Sequence, residues 1–282
     1  MYIQLVLISI CLFIFTARSL KSPIIDNFII NLGLPKSGTT SFHDGVMRLG
    51  VKSLHQELLK LNTKRKFCGD NIFPIKSTIV GGNTTVALKW QKIKNSKSCT
   101  IGMLIQNYLT LNERPFDRFI ADGYRSFAQL DVCFMGNKIC IIPQLDALEN
   151  IVNAYPNAYY VHTKRSSAER HVASIDAWFN MLDRFNTGGL LKRFKGQSPN
   201  NTKQENGIIM INEIHQQTLL FFSRRPQVKF LDVCIEDKDA NKTIAAFLNI
   251  THFNLEQLRK GRYNHSHILT QSKLPSPSST TI

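Results

Sequence analysis

The sequence predicts an α/β fold in which helices flank a central parallel sheet to form three layers. Short apolar runs alternate with longer segments of helical periodicity, which is the pattern of strand–helix–strand units. The composition agrees, because 43% of the 282 residues are hydrophobic and 20% are charged. These values exclude collagen-like and wholly disordered chains. Since the sequence has no internal repeat, we expect one domain over residues 24–265.

The first predicted element is a buried strand over residues 28–32, and a helix over 40–49 follows it. A later helix opens at the S-x-x-E capping box of Ser166 to Glu169 and continues to Leu182. The other expected strands are at 139–142, 158–163 and 228–234, and the other expected helices are at 145–154, 208–222 and 241–248. Residues 266–282 are rich in Ser, Pro and Thr, which predicts a disordered tail.

The amino terminus carries an uncharged apolar run of 15 residues, from Ile3 to Ala17. A transmembrane helix needs about 20 residues, whereas a run of this length is typical of a signal-peptide core. Arg18 and Lys21 follow the run, as they do in an uncleaved anchor. We expect residues 1–20 to be a signal peptide or a short type II membrane anchor; the alternative is a buried strand or helix. The rest of the chain would then enter the secretory pathway, for the Golgi lumen or for export.

Cysteines and sequons fit an oxidising compartment. Cys133 and Cys140 bracket the turn signal Gly136-Asn137, so a hairpin there would bring them within disulfide range. Cys68 and Cys99 are a second candidate pair, and the alternative for all four is a buried free thiol. Sequons for N-glycosylation stand at Asn83, Asn200, Asn241, Asn249 and Asn264.

The net charge is strongly positive, with 35 Lys and Arg against 20 Asp and Glu, or +15. Such a surface attracts anions, among them nucleotides, sulfated glycans and acidic lipids. Nucleic acid is the disfavoured partner, because the sequence carries no RNA-binding signature and begins with a secretory leader.

Residues 33–41 read Gly-Leu-Pro-Lys-Ser-Gly-Thr-Thr-Ser, directly between the first strand and the first helix. A loop of this kind aims backbone N–H groups and a helix N-terminus at one point, and Lys36 adds a full positive charge. The segment therefore predicts a phosphate cradle. Gly33 and Gly38 have Walker A spacing, but Thr39 stands where a kinase needs Lys. This substitution counts against Mg²⁺-dependent phosphoryl transfer.

The strand, the Leu-Pro-Lys-Ser-Gly-Thr-Thr-Ser-Phe sequence and the helix together resemble the 5′-phosphosulfate-binding loop of sulfotransferases. Those enzymes use 3′-phosphoadenosine 5′-phosphosulfate (PAPS), and the closest branch has a loop reading P-K/R-x-G-T-T-S. Residues 154–165 and 174–179 are similar to the family's 3′-phosphate segment, a strand that ends in Arg and a helix that bears Ser. Residues 228–250 resemble the strand–helix pair that follows. The resemblance implies a three-layer P-loop nucleotide-binding fold.

The resemblance also implies the residues that hold PAPS, and no metal. The 5′-phosphosulfate would contact Lys36, Ser37, Gly38, Thr39, Thr40 and Ser41, and the 3′-phosphate would contact Arg165 and Ser174. Plain helix capping is the alternative for Thr39 and Thr40. The family spaces that Arg and Ser eight apart, but here they are nine apart. The extra residue is either absorbed before the helix or turns Ser174 away from the phosphate.

Catalysis would need charge stabilisation and a base. Lys36 would stabilise the charge that develops as the sulfuryl group leaves. A base must accept the proton of the acceptor, and the candidates are Asp44 and His43. Asp44 is eight residues after Lys36, where the heparan 3-O-sulfotransferases that this loop resembles carry their Glu. His43 projects about 100° away on the same helix. Strand alternation and helix phase predict packing roles for His162 and His171.

We therefore expect a PAPS-dependent sulfotransferase that acts on a hydroxyl or amine of a glycan or another secretory-pathway substrate. An anionic glycan would suit the charge, and the N-terminal segment would allow membrane association. The alternatives are a P-loop small-molecule kinase that requires Mg²⁺, and a non-catalytic protein of the same fold that binds anions or glycans.

Overall fold

The computed structural model of the chain describes residues 27–55, 72–80, 85–92, 100–110, 112–134, 139–178, 180–194, 196–198 and 200–255. The predicted leader, the C-terminal tail, the Cys68–Cys99 pair and the sequons at Asn83 and Asn264 lie outside these residues. Among the helices within these ranges, none combines the length and the hydropathy that crossing a bilayer requires.

The strands are short, apart from one hairpin. In chain order they are β1 (Ile29–Asn31), β2 (Ser53–His55), β3 (Ile72–Val80), β4 (Thr85–Lys92), β5 (Ser126–Ala128), β6 (Val132–Phe134), β7 (Ile139–Ile141), β8 (Tyr159–Lys164) and β9 (Phe230–Cys234).

The helices vary from a single turn to 21 residues. They are α1 (Thr39–Arg48), α2 (Ile101–Thr110), α3 (Asp117–Ala121), α4 (Pro143–Asp146), α5 (Leu148–Ala154), α6 (Ala168–Asp176), α7 (Met181–Thr187), α8 (Lys203–Ser223) and α9 (Ala240–Leu248), with a 3₁₀ turn at Leu191–Arg193.

Five parallel strands form the central sheet in the order β2-β5-β1-β8-β9. Successive residues of β1 face opposite sides, as in any strand. Ile29 packs with Phe42 of α1 and Ile244 of α9, whereas Ile30 packs with Tyr160 and with the residues of α2 and α3. Helices therefore cover both faces, and the predicted three-layer α/β fold with a central parallel sheet is confirmed.

A third apolar cluster lies beyond the carboxyl ends of the strands. It joins Leu34 from the loop after β1 to Val172 of α6, Leu182 of α7 and Met210 of α8. The residues in it are buried, so these three helices are fixed to one another and to the loop.

The predicted strand at 139–142 is β7, but its assignment to the central sheet is wrong. It pairs antiparallel with β6, and Cys133 lies directly opposite Cys140. A disulfide joins the two. The predicted hairpin and disulfide are thus confirmed, and the free-thiol alternative is wrong for this pair.

Two predicted helices are interrupted. The helix expected to reach Leu182 is α6 followed by α7, because the chain turns at Asn180 with a left-handed φ of 52°. The helix expected at 145–154 is α4 followed by α5, with the break at Ala147.

Candidate functional site

The sheet order places a crevice at the carboxyl end of β1. From β1 the chain crosses to β2 and β5 on one side, and it then returns to β8 and β9 on the other. Ligands of open parallel sheets bind outside the carboxyl ends of the strands at such a switch point. The loop after β1 and the loop after β8 both begin there.

The two loops contact each other through Arg165. Its Nε donates a hydrogen bond to the backbone oxygen of Lys36 over 2.8 Å. Its Nη2 lies 3.4 Å from Ser174 Oγ on α6. Three of the predicted nucleotide-binding residues, separated by up to 138 positions (174 − 36), therefore lie together.

The extra residue between Arg165 and Ser174 is absorbed before α6. The helix is capped by Ser167, whose hydroxyl accepts from Arg170 N, so the prediction of a capping box at Ser166 is wrong. Ser166 instead binds Glu236 through its backbone N–H and its hydroxyl, over 3.0 and 2.5 Å. Ser174 consequently lies beside Arg165, and its contact with a phosphate stays a prediction.

Glu236 also pairs with Arg165 Nη1 over 3.0 Å. Burial opposes the ionisation of Glu236, but the hydrogen bonds from Ser166 and Arg165 outweigh it and lower the pKa of Glu236 to about 2. The Arg165 guanidinium is thus held by a carboxylate and a carbonyl in this conformation. An anion at this point would compete with Glu236 for the guanidinium.

Close contacts with β8 hold the loop after β1. Ser37 Oγ donates to Leu34 O over 2.7 Å and lies 3.2 Å from Thr163 Oγ1. Thr163 in turn donates to Asn31 Oδ1, and Gly33 N donates to the same oxygen over 2.7 Å. A Cβ at Gly33 would lie 2.2 Å from Thr163 Oγ1. Ser37 is fully buried and braces the loop; its predicted contact with a phosphate stays a prediction.

Lys36 and Gly38 both have left-handed backbone conformations, with φ of 67° and 95°. A Cβ at Gly38 would meet the Ile235 side chain at 2.5 Å, so glycine is required there. The Lys36 ammonium lies 5.3 Å from the centre of the Trp178 ring, in the turn between α6 and α7. Strained backbone in a ligand-facing loop is typical of functional sites.

The loop leads directly into α1, whose N-cap is Gly38. Gly38 makes no side-chain capping bond, and Thr39 and Thr40 are the first two helical residues, so the alternative that they cap the helix is wrong. Thr39 Oγ1 donates to Gln129 Oε1 over 3.2 Å, and Thr40 Oγ1 lies 3.2 Å from His55 Nε2. Ser41 follows Thr40 in the helix and is half-buried. The N-terminus of α1 thus faces the crevice with the positive end of its dipole.

The two predicted bases lie on the β2 side of the site. His43 Nδ1 is 2.7 Å from Ser53 Oγ, and its ring lies 5.3 Å from that of His55. Asp44 is buried, and its Oδ1 is 4.0 Å from His43 Nε2. β2 is two strands from β1, whereas the contacts of Arg165 lie toward β8.

His171 supports the loop from α6. Its Nε2 donates to Pro35 O over 2.9 Å. Burial disfavours the charged ring and lowers the pKa of His171 to about 4. The predicted packing role is confirmed for this residue, and the contact fixes the loop beside Lys36.

Sequence reasoning missed a buried polar group after β5. Asp131 is 1% exposed, and burial raises its pKa to about 7. The side chain of Gln144 offsets part of that rise, although it lacks ideal hydrogen-bond geometry. Among the described residues, Asp131 Oδ1 and Gln129 Nε2 have no hydrogen-bond partner.

Gln129 connects to the loop of residues 33–41, because its Oε1 accepts a hydrogen bond from Thr39 at the start of α1. Buried polar atoms without partners are rare and point to a ligand, a water or a proton-transfer role. The sequence feature that could have pointed to Asp131 is its place shortly after the apolar residues of β5. β5 itself is too short to show the alternation that identifies a strand.

No protein-family model matches the chain, and no curated protein matches it at a significant level. Similarity to known proteins therefore adds nothing to the motif resemblance, and the proposals below depend on geometry and charge.

Proposed function

We propose that the chain is a PAPS-dependent sulfotransferase. In this proposal residues 33–41 hold the 5′-phosphosulfate, and Arg165 and Ser174 hold the 3′-phosphate. The observation that carries it is the 2.8 Å hydrogen bond from Arg165 to the Lys36 carbonyl. This bond joins the two segments that the resemblance implies for the two phosphates, at the switch point of a parallel sheet.

The reaction would need charge stabilisation and positioning rather than a metal. A bond forms between sulfur and the acceptor oxygen or nitrogen, and the bond between sulfur and the 5′-phosphate oxygen breaks. That oxygen keeps the electron pair, and the acceptor's proton goes to a base. Lys36 and the N-terminus of α1 would stabilise the charge on the leaving phosphate.

Three carboxyl or imidazole groups compete for the role of base. Asp44 and His43 remain candidates on α1, and Asp131 joins them. Asp131 follows β5, which lies next to β1. Its pKa of about 7 suits proton transfer near neutral pH. Asp131 is thus a third candidate beside Asp44 and His43, and the contacts of His43 run to the edge strand β2.

The fit of the nucleotide is testable by calorimetry. We would titrate the full-length chain with adenosine 3′,5′-bisphosphate, and separately with ADP and Mg²⁺. We expect binding of the bisphosphate alone. Lys36→Ala and Arg165→Ala should each weaken it about tenfold or more, because a charged hydrogen bond contributes about 1.5–3 kcal/mol.

Matched controls separate site contacts from net charge. Lys242→Ala and Arg224→Ala each remove one exposed positive charge on other elements, so neither should change the affinity by more than about twofold. Preferred binding of ADP with Mg²⁺ would contradict the proposal and favour the kinase. A folded chain that binds neither nucleotide would favour a non-catalytic basic protein.

A further inference from the structure

A cluster of two histidines and an aspartate lies on the other face of β8. His162 Nδ1 is 2.8 Å from Asp232 Oδ1, and His215 Nε2 is 3.1 Å from Asp232 Oδ2. One ligand atom from each residue lies within 4.8 Å of those of the other two. The three come from β8, α8 and β9, so they are far apart in sequence and adjacent only in the fold.

We propose that His162, His215 and Asp232 bind a divalent transition-metal ion of the zinc class. Two imidazoles and one carboxylate are a ligand set that zinc takes in proteins, with bonds of about 2.0–2.2 Å. Tetrahedral bonds of that length place ligand atoms roughly 3.3 Å apart. His162 Nδ1 and His215 Nε2 lie 2.8 and 3.1 Å from the two different oxygens of Asp232, so metal binding would lengthen the shorter distance by about half an ångström.

The backbone that carries the ligands is rigid. His162 and Asp232 are direct neighbours across the β8–β9 pair. His162 is buried, and its ring centre lies 5.4 Å from that of His215. His215 follows Ile214, which is packed in the apolar cluster of α6, α7 and α8. Binding would thus need side-chain adjustment rather than a new backbone arrangement.

Lys164 occupies the position where a metal ion would share these ligands. Its Nζ is 2.5 Å from Asp232 Oδ2 and 3.2 Å from His215 Nε2. The cluster therefore already receives a positive charge. Lys164, His162 and His215 also line a cavity of about 150 Å³. The cavity gives the lysine side chain a place to move, and a water in it would complete the coordination.

The proposed metal site borders the proposed nucleotide site, because Thr163 and Arg165 line the same cavity as His162 and His215. The proposed ligands are on the side of β8 that faces α8, whereas residues 33–41 contact Thr163 and Arg165. The two proposals are still tested separately, since the cobalt titration contains no nucleotide and the bisphosphate titration contains no added metal ion.

Cobalt is the probe for the test, because four-coordinate Co²⁺ absorbs in the visible range. We would titrate the full-length chain with Co²⁺ and then add Zn²⁺ as a competitor. We expect absorption that Zn²⁺ abolishes and that His215→Ala weakens by about tenfold or more in affinity. His252→Ala, which removes an exposed histidine elsewhere, should leave it unchanged.

Lys164→Met sharpens the test, because it removes the competing ammonium and keeps the stem. This variant should bind Co²⁺ more tightly than the native chain. The proposal is overturned if the native chain does not bind Co²⁺ while circular dichroism shows it to be folded, whatever Lys164→Met does. It is equally overturned if His215→Ala, folded by the same criterion, binds Co²⁺ as the native chain does.

Discussion

The two faces of β8 carry polar side chains with different partners, although the residues of the two faces alternate along the strand. Thr163 contacts Ser37 in the loop of residues 33–41, and Arg165 contacts Lys36 in the same loop. His162 and Lys164 face α8 and Asp232. Side chains alternate along the strand, but both sets line the same cavity.

The difference between the faces lies in how far their polar atoms are paired. Both oxygens of Asp232 are engaged, and hydrogen bonds from His162 and Lys164 outweigh its burial and keep its pKa well below the usual range. On the loop side, Asn31 Nδ2, Gln129 Nε2 and Asp131 Oδ1 are buried without a partner among the described residues. Unpaired buried atoms favour a ligand or a water, whereas a metal ion on the paired face would have to displace Lys164 from Asp232.

The largest expected effect tests the paired face. Asp232→Ala should destabilise the fold by about 3 kcal/mol or more, because it leaves Lys164 and two histidines without their carboxylate. The measurement is urea unfolding at pH 7, with Asp237→Ala as the exposed control. A loss below about 1 kcal/mol would mean that the network contributes little.

The next largest effect is a loss of folding stability in acid, and His171 should cause it. Its pKa is about 4 in the folded chain and about 6.5 when unfolded, so the unfolded state binds more protons between these values. Stability should therefore fall as the pH drops from about 6.5 to 4, by up to about 3 kcal/mol.

Urea unfolding at several pH values measures this loss. His171→Gln keeps an N–H for Pro35 and should remove that share of the pH dependence. An equal slope in the variant and the native chain would contradict the assignment.

A smaller effect is expected from Gly33→Ala. The new Cβ would crowd Thr163 Oγ1 and Ser37 Oγ, which should cost about 1–3 kcal/mol and weaken bisphosphate binding. Gly50→Ala is a useful comparison, since its Cβ meets no atom and only its positive φ of 75° opposes the substitution. Gly50→Ala should lower stability without weakening bisphosphate binding. If both variants bind the bisphosphate equally well, the close approach of the loop to β8 has no part in binding.

The smallest effect is expected at Glu236, which competes with an anion for Arg165. Glu236→Gln keeps a hydrogen-bond acceptor for Ser166 but removes the negative charge. Bisphosphate affinity should rise about threefold, since a partly exposed ion pair contributes about 0–1 kcal/mol. Weaker binding in this variant would show that Glu236 positions Arg165 for the ligand instead.

The sequence predicted those parts of the molecule that local patterns encode. The strand–loop–helix around Lys36 and the strand that ends before Arg165 carry their own periodicity and turn chemistry. The Gly136-Asn137 turn signal likewise predicted the hairpin that brings Cys133 opposite Cys140, but it left the choice between the disulfide and free thiols to the structure.

Contacts between distant segments could not be predicted in the same way. β2 and β5 have three residues each, too few to show alternation. Glu236 is 71 residues from Arg165 and 70 from Ser166, and no local pattern indicates that it binds them. The raised pKa of Asp131 is caused by burial, which depends on the assembled fold.

The central claim is that one nucleotide bridges the loops after β1 and β8. A crystal structure of the full-length chain with adenosine 3′,5′-bisphosphate tests it most directly. We predict the 5′-phosphate at the N-terminus of α1 beside Lys36, and the 3′-phosphate within hydrogen-bond distance of Arg165 and Ser174. A bisphosphate bound elsewhere, or one whose phosphates contact neither Lys36 nor Arg165, would contradict the account.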